Sequence, residues 1–196
     1  MESDRQRWNK RFQARPLEAP KPPEFFTQQR ENLPVGRALD VASGDGAVAL
    51  WFAEQGFDTT AVDISSVALS RLQSFAEPQG LEIATVCLDL DEPTAMRDHL
   101  VGTFDVIAMA HYKPSSLLLC QLRELLSPSG QLLLTTFNLQ HHTVNGFSKR
   151  FCLTPKEFEC STEGLRCAHY HSVERNGCFM DDYRWVRDDG VSRSED

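Results

Sequence analysis

The sequence predicts an α/β fold built on a doubly wound, mostly parallel sheet, and three features lead there. Five apolar, β-branched runs alternate with helical patterns between Arg37 and Phe137. Short links join them, which favours parallel strands with right-handed crossovers and helices on both faces. After that rhythm stops, two further strand patterns flank Asn176-Gly177, the strongest two-residue hairpin signal, so an antiparallel hairpin closes the sheet.

In chain order, Trp8, Arg11, Phe12 and Arg15 fall at i, i+3, i+4 and i+7, one face of an N-terminal helix. Prolines between Arg15 and Pro23 forbid continuous helix there and mark an ordered linker. Strands follow at 37–42, 58–63, 81–88, 104–110 and 131–137, each apolar enough to be buried on both faces. The helical segments between them are 46–56, 65–80, a weak 93–100 and 114–130. Ser65 or Ser66 caps the second, Pro114 starts the last with Ser115 behind it, and Gly56, Gly80 and Gly130 fall just past helix ends. Beyond a polar stretch at 138–150, Thr154 to Phe158 is a short helix candidate, and the hairpin strands are 165–175 and 178–188.

At 196 residues the chain supports one continuous core and is too short for separate nucleotide-binding and catalytic domains. It divides into an N-terminal helix and linker (1–35), a core (36–137) and a C-terminal segment with the hairpin (138–196). A formal charge of −8 opposes binding to phosphate backbones or anionic lipid and favours a small-molecule partner, with no nucleic acid and no membrane. No apolar run approaches the roughly 20 residues that span a bilayer, and MESDRQRWNK lacks a signal-peptide core, which reads as cytoplasmic. Cys87, Cys120, Cys152, Cys160, Cys167 and Cys178 form no C-x-x-C pair and read as buried free thiols.

The glycine turn in Leu39 to Gly56 parses two ways, because Gly44, Gly46 and Ala49 also spell the G-x-G-x-x-A of a dinucleotide site. Asp40 weighs against that parsing: a carboxylate at the end of the first strand repels a pyrophosphate and suits a ligand bearing an ammonium group. S-adenosylmethionine is such a ligand, with an amino-acid end, a sulfonium, a ribose, an adenine and no phosphate. Asp63, at the end of the second strand, can accept both ribose hydroxyls, as an acid in a dinucleotide enzyme also can. Asp89 follows the third strand. The competing role for each acid is a solvated loop carboxylate or a helix cap.

Asp40, Ala42, Gly44 and Gly46 stand as in the first motif of the class I methyltransferases, which the sequence resembles. Within that class it is similar to the small bacterial methyltransferases related to the tellurite-resistance and thiopurine enzymes. Trp8-Asn9-Lys10-Arg11-Phe12 resembles their W-N-x-R-Y/F signature, and Phe151 to Phe158 resembles the segment before their closing hairpin. Ser43 in place of the common cysteine and Asp45 in place of threonine are departures. The resemblance implies a Rossmann-like sheet of seven strands, order 3-2-1-4-5-7-6 with the last antiparallel, in a monomer or homodimer. It implies a cofactor site of Trp8, Arg11, Asp40, Ala42, Ser43, Gly44, Gly46, Asp63, Ile64, Asp89, Leu90 and Ala110. In it Asp89 takes the adenine amino group with Leu88 or Leu90 against the ring, and Arg11 offers its fork to the methionine carboxylate from a lid. Alternatively, the aromatic residues of that helix merely dock it onto the body.

Methyl transfer is an in-line displacement at a carbon already activated, so alignment and exclusion of water suffice and no metal is needed. A soft nucleophile, such as a thiol or a tellurite or selenite oxyanion, needs no general base either. The acceptor pocket is expected beside the end of the fourth strand, where His111 is a base, Tyr112 orients an acceptor and Lys113 attracts an anion, or where they only wall the pocket. His141 and His142 line the same pocket or stand in a surface loop, and His169 and His171 read as sheet surface rather than metal ligands. Rival readings are a non-catalytic S-adenosylmethionine-binding protein and a dinucleotide-dependent oxidoreductase.

Overall fold

A computed structural model describes residues 2–92, 94–159 and 164–188; Cys160 lies outside the described residues. Seven strands form one sheet: β1 (Arg37–Val41), β2 (Asp58–Asp63), β3 (Ile83–Cys87), β4 (Phe104–Ala110), β5 (Leu126–Phe137), β6 (Leu165–Arg175) and β7 (Cys178–Arg187). Their order is β3-β2-β1-β4-β5-β7-β6. The first five are parallel, whereas β7 runs antiparallel to both β5 and β6. This is the Rossmann-like seven-stranded arrangement, with the last strand antiparallel, that the resemblance implies.

Alternation along the strands feeds two apolar layers. On one face Ala38, Val106, Ala108 and Leu133 pack against Phe25 and Phe26 of α2 (Glu24–Gln28) and Val48, Trp51 and Phe52 of α3 (Ala47–Glu54). Further along that layer, Ala61 and Ile83 meet Leu69, Leu72 and Ala76 of α4 (Ser66–Ala76). On the other face Leu39, Val41, Ile107, Met109, Leu132 and Leu134 meet α5 (Ala95–His99) and α6 (Ser116–Leu125). Ser65 and Ser115 cap α4 and α6, their hydroxyls accepting from the amides of Ala68 and Leu118. At the hairpin Asn176 and Gly177 have φ of 52° and 76°, the left-handed pair that a two-residue turn of matching twist requires.

Several expectations need correcting. Gly130 is not a helix terminus: Leu126 already pairs with Phe104, the register then shifts, and Gly130 lies in that irregular stretch of β5. A Cβ there would stand 2.8 Å from the Ser127 carbonyl oxygen. Thr154 to Phe158 forms turns instead of a helix, because Lys156 is left-handed at φ 58° and Glu157 folds back to accept from the Thr154 amide at 2.7 Å. The helix α1 (Glu2–Gln13) ends before Arg15, which sits in the turn after it. Of the cysteines described, Cys152 is buried, Cys87 and Cys120 are exposed, and Cys167 and Cys178 are intermediate; all five are free thiols. No helix among the described residues is long and apolar enough to cross a membrane.

Candidate functional site

Four acids gather where the parallel strands end, and α1 crosses that edge. A helix rises about 1.5 Å per residue and strands lie about 4.8 Å apart, so three or four residues of α1 pass each strand. The contacts follow that arithmetic. Arg5 lies close enough to Asp89, past β3, to favour its charged form. The Asn9 side-chain oxygen accepts from the Ser65 hydroxyl at 2.7 Å, past β2. Phe12 is buried, its ring 3.0 Å from where a Cβ on Gly44 would stand, past β1. Arg15 pairs with Asp45 at 3.1 Å, and its charge reaches His111, the residue after β4.

The acids are not equivalent. Asp40 is buried, and one of its oxygens accepts from the Ala49 amide in the first turn of α3 at 2.9 Å, so it carries the helix-capping role too. Burial pushes its carboxyl up to about 8, with a smaller push from Asp63 and a partial offset from the Ala49 amide. Asp63 bridges two loops, accepting from the amides of Ser65 and Gly44, both at 2.8 Å. Burial still outweighs those bonds and raises its pKa, with Asp45 adding to the effect. At Asp89 the Asp91 amide and, more weakly, Arg5 are among the groups that oppose burial, and the net shift is downward. Asp63 thus acts on Asp40 and Asp45 on Asp63, a repulsion along the strip that a ligand carrying positive charge relieves.

Backbone shape and two orphaned donors fit a ligand in this strip. Ala42 has φ 56°, a strained value for a residue with a Cβ, and it aims the turn after β1 along the sheet edge. Ser43 donates its amide to the Val62 carbonyl while its hydroxyl is buried without a partner among the described residues. The Arg5 Nε is likewise buried without a partner among the described residues. Gly46 caps α3 at φ 89°, and a Cβ there would stand 2.2 Å from Leu72. Ile64 offers its carbonyl to the Cys87 thiol, and Leu90 is half-buried against the core. Trp8 is half-buried with the exposed Arg11 guanidinium 5.1 Å over its ring.

On the acceptor side, Ala110 ends β4 and His111 takes φ 56°, locked by its amide bond to the Thr135 carbonyl at 2.8 Å. Its ring reaches solvent but is flanked by protein, so burial, helped by Arg15, lowers its pKa and leaves a neutral imidazole. Tyr112 is half-buried and pushed up to about 12 by burial and by Asp91, Asp89 and Asp63, so it stays a hydrogen-bond donor. Lys113 is committed to Glu157 and to the Cys152 carbonyl, each at 2.9 Å.

His141 is buried in α7 (Leu139–Asn145), contrary to a surface-loop role. It stacks on Phe137 at 4.4 Å, which in turn stacks on His111 at 5.4 Å, and Phe147 packs against Phe137 at 4.7 Å. His142 instead bonds the Phe147 carbonyl, and His169 stacks on Phe25 of the layer formed by α2 and α3. Among the described residues no cluster of His, Cys, Asp and Glu could hold a metal. The sequence does not single out Arg5, Arg71 or the Phe137–Phe147 pair as site residues; Asn9 carries a signal inside the tryptophan signature, and Ser65 carries one as a helix-cap candidate.

Residues 38–130 match the family described as a methyltransferase domain. The chain is 26% identical over 156 residues to a ubiquinone biosynthesis O-methyltransferase of Coxiella burnetii (strain Dugway 5J108-111), covering 76% of this chain and 66% of that protein. It therefore spans a little under two thirds of that relative's length. Among solved structures, TehB from Haemophilus influenzae is similar at a TM-score of 0.66 and 15% identity, over 84% of this chain and 61% of that one. Magnesium protoporphyrin IX methyltransferase from Synechocystis PCC 6803, solved with bound SAM, is similar at 0.62 and 18% identity, over 83% and 74%.

Proposed function

We propose that this chain, whose residues 38–130 match a methyltransferase domain, is a class I methyltransferase that transfers a methyl group from S-adenosylmethionine to a small-molecule acceptor. The observation that carries the reading is the gathering of four acids, Asp40, Asp45, Asp63 and Asp89, at the strand ends beneath α1. A pyrophosphate-bearing dinucleotide would add negative charge to it, whereas S-adenosylmethionine brings a sulfonium and an ammonium. When bound, that cofactor supplies a methyl carbon already activated for displacement. Asp89 with Leu90 would hold the adenine, Asp63 the ribose, and Asp40 with Ser43 and the Gly44 turn the amino-acid end.

The chain's own residues then have two tasks, alignment and exclusion of water. Phe12, Trp8 and the rest of α1 close the site from above. His111, neutral and reaching solvent beside Phe137, can accept a proton from an acceptor hydroxyl or thiol, while Tyr112 can donate to it. A soft nucleophile such as a thiol or a tellurite or selenite oxyanion requires only this wall.

Calorimetry with S-adenosylmethionine and S-adenosylhomocysteine, with NADH as control, tests the reading. Binding of the first two alone supports it; silence from folded, ligand-free protein removes it. Asp63→Ala should weaken the affinity about tenfold or more, the cost of losing hydrogen bonds to a charged group.

A further inference from the structure

Arg15 lies past the end of its helix, beside the glycine turn. Its Nη1 donates to Asp45 at 3.1 Å and its guanidinium lies 4.4 Å over the Phe12 ring, two contacts that fix its plane. Asp45 is shared: Arg71 donates to it from Nε at 3.3 Å, and spends its two Nη groups on the carbonyls of Arg15 and Pro16 at 3.3 and 2.6 Å. Two guanidiniums around one carboxylate leave a net positive charge at one end of an otherwise acidic strip. The Arg15 side chain is 41% exposed, against 8% for Asp45, and its Nε and Nη2 carry no hydrogen bond among the described residues.

We propose that Arg15 takes the carboxylate end of the methyl donor, with Asp45 as the residue that positions it; this rests on the cofactor reading above. Adenine at Asp89 past β3 and ribose at Asp63 past β2 leave the amino-acid end at β1 and β4, between Asp45 and His111. Arg15 occupies that interval. Arg11, the residue that the signature would nominate, lies about one helical turn earlier, exposed over Trp8. The Asp45 departure thereby acquires a role: the carboxylate holds a guanidinium with its remaining N–H groups open, and a planar fork suits a second carboxylate.

The test compares S-adenosylhomocysteine with 5′-methylthioadenosine, which keeps the nucleoside and lacks the amino-acid end, by calorimetry on the full chain. Arg15→Ala should weaken S-adenosylhomocysteine about tenfold or more, the range for a hydrogen bond between charged groups, and leave methylthioadenosine unchanged. Arg15→Lys should restore part of the loss, and it serves in place of Arg15→Ala should that variant fail to fold. Asp45→Asn should reduce the preference for S-adenosylhomocysteine in the same direction by less, a ratio that a purely structural role would not move. Equal weakening of both ligands, no weakening of either, or a selective loss in Arg11→Ala would overturn the assignment. Failure of the wild-type chain to bind either ligand would instead overturn the cofactor reading, and this assignment with it.

Discussion

Asp40 shows how one residue serves the fold and the ligand at once. Its burial at the end of β1 raises the carboxyl to about 8 from an ordinary value of 3.8, so near neutral pH it is mostly protonated. A cationic group arriving beside it favours the charged form and expels that proton. Binding of S-adenosylmethionine at pH 7 should therefore release protons, measured as an enthalpy that varies with the ionisation heat of the buffer, and the release should vanish by about pH 9. A buffer-independent enthalpy at pH 7 would show that the ligand does not meet Asp40. The same shift bears on stability without ligand. A group whose folded pKa exceeds its unfolded value gives a contribution that is complete below the unfolded value of 3.8 and lost as pH rises through about 8. Asp89, shifted the other way, gives a contribution that is lost as pH falls.

At the scale of elements, α2 was invisible in the sequence although it anchors one layer. Five residues have no periodicity to detect, and Pro23 before them signals only a turn or linker. Yet Phe25 and Phe26 are 1% and 0% exposed against Val106, Ala108 and Leu133. Phe26→Ala should cost about 3–5 kcal/mol, read as a lower urea midpoint at unchanged slope, while Leu17→Ala, at 73% exposure, should stay within about 0.5 kcal/mol. A cost below about 1 kcal/mol for Phe26 would mean that α2 is not part of the cooperative core. The strands were legible for the opposite reason. Asp58–Asp63, Phe104–Ala110 and Leu165–Arg175 match their sequence patterns residue for residue, because burial on two faces demands apolar, β-branched runs and the hairpin demands Asn-Gly. Thr154 to Phe158 departs from its helical pattern because local propensity there yields to a tertiary contact, Glu157 on Lys113.

For the molecule as a whole, Asp40, Asp63 and Asp89 are legible in the sequence because each stands at the end of a parallel strand, and parallel strands bring their ends to one edge. The cations that face them are not. Arg5 and Arg15 reach the site because α1 and the turn after it cross that edge, Arg71 reaches it from α4, and no spacing in the sequence specifies a crossing direction. The balance between acids and cations also governs approach. The chain carries a formal charge of −8. S-adenosylmethionine is cationic overall, since sulfonium and ammonium outweigh one carboxylate, whereas S-adenosylhomocysteine is neutral. Long-range attraction should therefore speed association of the first alone, and salt should remove it as the screening length falls from about 10 Å at 0.1 M to about 3 Å at 1 M. Stopped-flow association rates over that range should drop several-fold for S-adenosylmethionine and stay flat for S-adenosylhomocysteine, with dissociation nearly constant because it breaks contacts shielded beneath α1. Equal salt dependence for both ligands would mean that closure of α1, not the charge of the molecule, limits entry.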